Sequence, residues 1–174
     1  AGLAASVAPV AAENGMVVTA QHLASKVGVD VLKKGGNAID AAVVVGYALA
    51  VVYPAAGNLG GGGFMVIQMA DGRTDFLDFR EKAPLAATPD MYLDKNGNVI
   101  PDLSTRGHLA VAVPGTVAGL EMARDLYGTR PRAELVRPAV TLAEKGWVLE
   151  RGDADLFAEA TEDFRKDPAS AAIF

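Results

Sequence analysis

An arginine that follows an amphipathic strand is the residue of this sequence best placed to do chemistry. In Asp78-Phe-Arg-Glu81, period-2 alternation puts Leu77 and Phe79 on one face and Asp78 and Arg80 on the other. A strand that packs through its apolar face can therefore hold the Arg80 guanidinium toward a carboxylate, whose two oxygens match the planar fork. The same spacing allows a structural ion pair of Arg80 with Asp78, Glu81 or another acid, and the residues alone leave both readings open. Gly57-Asn-Leu-Gly-Gly-Gly-Gly63 is the densest local signal. No Lys-Ser/Thr pair follows it at phosphate-loop spacing, Gly-x-Gly-x-x-Gly is not completed, and the run precedes a strand instead of opening a helix, which disfavours a nucleotide cradle. Two readings remain: close backbone approach beside a buried helix, or an active-site wall where substrate or another chain meets backbone.

Other constellations are weaker. Asp94-Lys-Asn-Gly-Asn98 has no glycine at the sixth position and no closing Glu, so it is a surface turn and not a calcium loop. The two histidines, His22 and His108, have no Gly-x-Ser-x-Gly elbow nearby and read as ordinary polar residues. Glu121 and Asp125 form an i,i+4 carboxylate pair that reads as a solvated helix face. Without cysteine there is no disulfide framework, thiolate zinc site or cysteine nucleophile, and no cluster suggests a metal or an organic cofactor.

The elements that must position Arg80 follow from periodicity. Gly15 to Ala20 is expected to be a short buried strand. Leu23 to Lys34 is expected to be an amphipathic helix stopped by Gly35-Gly36. Asn37 is expected to cap a second helix, through about Tyr53, that is apolar on every face except at Asp40 and so must be buried nearly all round. Phe64 to Met69 and Thr74 to Phe79, joined at Asp71-Gly72, are expected to form an antiparallel hairpin. Leu109 to Val113 reads as a short strand. Helices are expected from near Pro114-Gly115-Thr116 to Tyr127, over Ala133 to Lys145, and, on the surface, over Asp153 to Lys166.

Composition bounds the rest. The chain has 174 residues, 51% hydrophobic and 21% charged, with a net charge of −5, which excludes wholesale disorder and argues against nucleic-acid binding. The uncharged run Ala41 to Ala70 is broken by Pro54 and the glycines before either half reaches the roughly 18 to 20 apolar residues of a spanning helix, so no membrane span is expected. Ala1 to Ala12, small and apolar, fits the stretch after an export cleavage site, and the ending at Phe174 reads as a cut.

Four segments in order are similar to the γ-glutamyltransferase family: Val27-Gly-Val-Asp-Val-Leu-Lys-Lys-Gly-Gly-Asn-Ala-Ile-Asp-Ala-Ala42, Gly57-Asn-Leu-Gly-Gly-Gly-Gly-Phe-Met65, Asp78-Phe-Arg-Glu81 with Ala83-Pro84, and Pro114-Gly-Thr-Val-Ala-Gly119. The resemblance runs from about Gly15 to Glu150, with a further similarity at Ala-Ile-Phe174. It implies an α/β fold, the αββα sandwich of the N-terminal-nucleophile hydrolases, of which this chain supplies only a part. The resemblance divides the chain into a flexible segment 1–14 and, over 15–174, the N-terminal portion of a large subunit. In such a zymogen, autoprocessing frees the threonine of a small subunit. That threonine attacks the γ-glutamyl amide of glutathione or glutamine, and the acyl group passes to water or to an amino acid.

The resemblance assigns Arg80 to the α-carboxylate of the γ-glutamyl group. It places no catalytic residue in this chain, whose partners would be the small subunit and the rest of the large one. It also implies a periplasmic or secreted heterodimer of glutathione metabolism without a cofactor. A cephalosporin (glutaryl-type) acylase of the same superfamily and a non-catalytic scaffold subunit are the alternative functions. An isolated copy is expected to expose sheet edges and apolar surface and to aggregate.

Overall fold

Gln21 begins the regular structure of the computed structural model, which describes residues 9–174: its side-chain carbonyl accepts the amides of Leu23 and Ala24 and caps α1, His22–Lys33. Gly35 takes a positive φ of 81° and ends the turn after α1. Asn37 then caps α2, Ala38–Val52, in a reciprocal box with Asp40. As its sequence demands, α2 is the hub of the core. Val43, Val44 and Tyr47 meet Val31 of α1, Ile67 and Leu77 of the hairpin, and Leu120 and Leu135 of the later helices.

The hairpin is β1, Phe64–Gln68, and β2, Thr74–Asp78, antiparallel with Phe64 opposite Asp78 and Val66 opposite Phe76. Four helices follow: α3, Thr116–Tyr127; α4, Arg132–Lys145; α5, Arg151–Lys166; and the single turn α6, Pro168–Ala171. Ile67 and Leu77 point into the core, whereas Phe64 and Phe76 stack at 5.7 Å on the opposite face, each 55% exposed, beside Val66 at 82%. That apolar face has nothing packed on it among the described residues.

Two expectations need correction. Gly15 to Ala20 is not a strand. It has no ladder partner among the described residues, and Val17 instead packs at Gly28 of α1 while Val18 is exposed. A β-rich sequence extends, but only a neighbouring edge makes it a strand. Leu109 to Val113 is also not a strand. A 3₁₀ turn spans His108–Ala110, and only Val113 pairs, with Lys82. The segment 1–14 lies, for residues 1–8, outside the described residues.

The Glu121 carboxylate departs from the solvated face that its spacing suggests. It accepts the Tyr47 hydroxyl at 2.6 Å and pairs with Arg124 and Arg132, each at 3.0 Å, joining α2, α3 and the start of α4. Burial, then the hydrogen bond to Glu121 and its charge, push the Tyr47 phenol up to about 12. Tyr47→Phe is expected to cost about 1 kcal/mol at neutral pH, the usual net value of such a bond. The unfolded tyrosine ionises near its ordinary 10 while the folded one keeps its proton to about 12. The contribution is therefore complete below pH 10 and declines as pH rises through that window. Urea unfolding of wild type and variant at pH 7 and above pH 10 checks this: the gap between them should shrink at the higher pH.

Candidate functional site

Arg80 lies two residues past the end of β2 and its main chain is held on both sides. Phe79 donates its amide to the Gly63 carbonyl at 3.1 Å, and Lys82 exchanges two backbone bonds with Val113 at 3.2 and 2.8 Å. Phe79 packs against the core, so alternation turns Arg80 outward, onto the same side as Phe64, Val66 and Phe76. The Asp78 carboxylate accepts the Arg80 backbone amide at 3.0 Å and is thereby engaged with main chain. Among the described residues the Arg80 guanidinium forms no ion pair, with Asp78, Glu81 or any other acid. An exposed guanidinium on a fixed backbone, with no internal carboxylate, is poised for an external one.

The glycine run forms the wall beside it. Gly61 accepts the amides of Gly115 and Thr116 at 2.8 and 3.0 Å, so the loop carbonyl takes up donors at the start of α3 that a bound anion would otherwise attract. Asn58 folds under the loop. Its Oδ1 accepts the Gly61 amide at 2.7 Å and the Thr116 hydroxyl at 2.8 Å, and its Nδ2 donates to the Ala56 carbonyl at 2.9 Å. Glycine at 115 is required by close approach: a Cβ there would lie 1.9 Å from the Phe79 carbonyl oxygen. Three of the four sequence motifs, the glycine run, Asp78–Glu81 and Pro114–Gly119, thus meet at one place around Arg80.

The fourth motif is structural. Asp40, fully buried, accepts the Asn37 amide, the Thr129 amide and hydroxyl and the Arg130 amide at 2.6 to 3.1 Å, which ties the start of α2 to the α3–α4 turn. The Asn37 side chain adds a bond to the Tyr127 carbonyl at 2.7 Å. Burial pushes the Asp40 carboxyl up, but the Thr129 hydroxyl and the three amides outweigh it and hold it below its usual range.

The sequence singles out Arg80 as a candidate but not Asn58, Thr116 or the anchoring role of Asp40. Asn three residues before Gly61 was the available signal, because Asn side chains bond nearby main chain in turns. His22 pairs with Glu150 at 2.8 Å on the surface, remote in sequence from the three convergent motifs, while His108 opens the 3₁₀ turn.

Comparison with known proteins bears on what this arrangement serves. Residues 24–174 match the family model described as Gamma-glutamyltranspeptidase. The chain is 73% identical over 172 residues to a Glutathione hydrolase proenzyme from a Pseudomonas species, covering 98% of this chain and 30% of that protein. It is 40% identical over 171 residues to an Acylase ACY 1 proenzyme, also from a Pseudomonas species, covering 95% of this chain and 31% of the relative. Among solved structures, it resembles the crystal structure of Helicobacter pylori gamma-glutamyltranspeptidase. The TM-score is 0.90 at 52% identity, over 94% of this chain and 47% of that one. The chain therefore spans about 30% of the length of these curated relatives. The fold class is that of the N-terminal-nucleophile hydrolases, of which the described helices and hairpin are a part.

Proposed function

This chain belongs to the γ-glutamyltranspeptidase family, and from that premise we propose that its residues 15–174 are the N-terminal portion of the large subunit of a γ-glutamyltransferase/glutathione hydrolase. The observation that carries the reading is the Arg80 guanidinium, without an acidic partner among the described residues, at the meeting point of three motifs. Its role is to hold the α-carboxylate of a γ-glutamyl group by charge-assisted bonds, which fixes where the γ-amide carbonyl lies.

The chemistry itself belongs to another polypeptide. An N-terminal threonine of a small subunit carries its own base in its free α-amine, which takes the hydroxyl proton as the oxygen attacks the γ-carbonyl carbon. The C–N bond breaks, the leaving amine receives the proton, and a γ-glutamyl ester remains. Water or an amino-acid amine then takes the acyl group and the threonine regains its proton. The exposed face of Phe64, Val66 and Phe76 supports a partner, since a hairpin with one bare apolar face is half of a packed layer. We read the assembled heterodimer as periplasmic or secreted, a reading that the likeness to the family supports. Among the described residues no helix is long and apolar enough to cross a membrane.

Hydrolysis of a chromogenic γ-glutamyl anilide by the complete protein tests the reading, with glutaryl-cephalosporin as the competing substrate. Release of the aniline, at a higher kcat/KM than glutaryl-cephalosporin cleavage, is the expected result. Cleavage of the cephalosporin alone would make the protein an acylase, as the 40% identical relative is named. Inactivity on both, with no threonine at the partner's N-terminus, would make the chain part of a scaffold.

A further inference from the structure

The Arg80 segment is supported from two sides that are far apart in sequence. The glycine run holds its beginning, through Gly63 to Phe79, and the approach to α3 holds its end, through Val113 to Lys82. If the two supports moved independently, the main chain between them would tilt and carry the guanidinium with it. One side-chain bond joins them: the Thr116 hydroxyl donates to Asn58 Oδ1 at 2.8 Å, and the same oxygen accepts the Gly61 amide at 2.7 Å. The Gly61 carbonyl returns the link to the amides of Gly115 and Thr116. Thr116 is buried to 9% exposure, so a hydroxyl that lost this acceptor would need a new one in a place with little access to water.

From this geometry we infer that Asn58 and Thr116 are positioning residues, a clasp that fixes the Arg80 guanidinium where it meets a substrate carboxylate. The clasp touches no substrate and acts through Arg80, and the inference rests on Arg80 being the carboxylate site.

The test uses the complete, processed protein and two anilides, γ-glutamyl and 4-aminobutyryl, the second lacking only the α-carboxylate. The readout is the ratio of their kcat/KM values. Thr116→Val keeps the shape and removes the hydroxyl. It is expected to lower the ratio roughly 10- to 100-fold, mainly by raising the KM of the γ-glutamyl anilide, the scale on which a displaced binding group acts. Thr116→Ser, which keeps the hydroxyl, restores the preference. Arg80→Ala combined with Thr116→Val is expected to be no worse than Arg80→Ala alone, since the clasp acts through that side chain.

If Thr116→Val slows both anilides equally, the clasp is a general structural bond and the inference is overturned. The same follows if neither Thr116→Val nor Thr116→Ala gives folded, processed protein while Thr116→Ser does. Arg80→Ala alone separates the two proposals. A ratio unchanged in Arg80→Ala removes the carboxylate role itself, whereas a ratio lost in Arg80→Ala and kept in Thr116→Val removes only the clasp.

Discussion

Arg80→Ala in the complete protein is expected to raise the KM for a γ-glutamyl anilide and to lower kcat/KM on the order of 100-fold, the scale of losing a charge-assisted anchor that orients the substrate. Steady-state kinetics with substrate well above the wild-type KM measures it. The loss should vanish for an anilide without the α-carboxylate, because among the described residues the Arg80 guanidinium pairs with no acid. Arg80→Lys keeps the charge but not the fork, and should recover only part of the binding. Equal kinetics for wild type and Arg80→Ala on both anilides would show that Arg80 takes no part in recognition.

The second large effect is on stability. Asp40→Ala is expected to destabilise the protein by about 3 to 5 kcal/mol, because buried donors left unpaired cost about 1 to 3 kcal/mol each and several lose their acceptor together. Those donors are the amides of Asn37, Thr129 and Arg130 and the Thr129 hydroxyl. The carboxyl is held below its ordinary 3.8 in the folded state. Its contribution is therefore complete above that value and is lost as pH falls from 3.8 through the lower folded pKa. Urea unfolding from pH 7 down through pH 2 should show a steep loss below 3.8 in wild type and a shallower one in Asp40→Asn. Parallel pH profiles for the two would mean that other carboxylates govern the acid limb.

Much of this was readable in the residues. The α1 helix declared itself by its periodicity and its glycine stop, and α2 by a near-continuous apolar run behind a capping Asn. The hairpin followed from Asp71-Gly72, and Arg80 emerged from strand alternation. Each of these signals is local, set within a few residues of backbone geometry. What escaped was non-local. Gly15 to Ala20 has strand composition, yet pairing depends on an edge elsewhere, and Leu109 to Val113 shares one bridge with Lys82 instead of a ladder. Asp40 looked like a lone charge in an apolar helix because its partners, Thr129 and Arg130, lie 89 and 90 positions away. Glu121 looked solvated because spacing cannot tell that Tyr47 and Arg132 close over it. Asn58 was one letter in a glycine run until Thr116 arrived beside it.

The distance between Asp40 and Thr129 also sets an order of events when the chain is made. As α2 leaves the ribosome, it carries a carboxylate whose final acceptor geometry needs donors that lie 89 residues downstream. At the usual pace of about 5 to 20 residues per second, that interval is roughly 4 to 18 s. Throughout it, α2 can coil but cannot bury Asp40 without leaving a charge short of partners. Val43, Val44 and Tyr47 also pack with Leu120 and Leu135, so the finished core draws on the same downstream stretch of chain. A carboxylate that fastens the finished protein thus disfavours burial of α2 in any state that lacks the Thr129 and Arg130 donors.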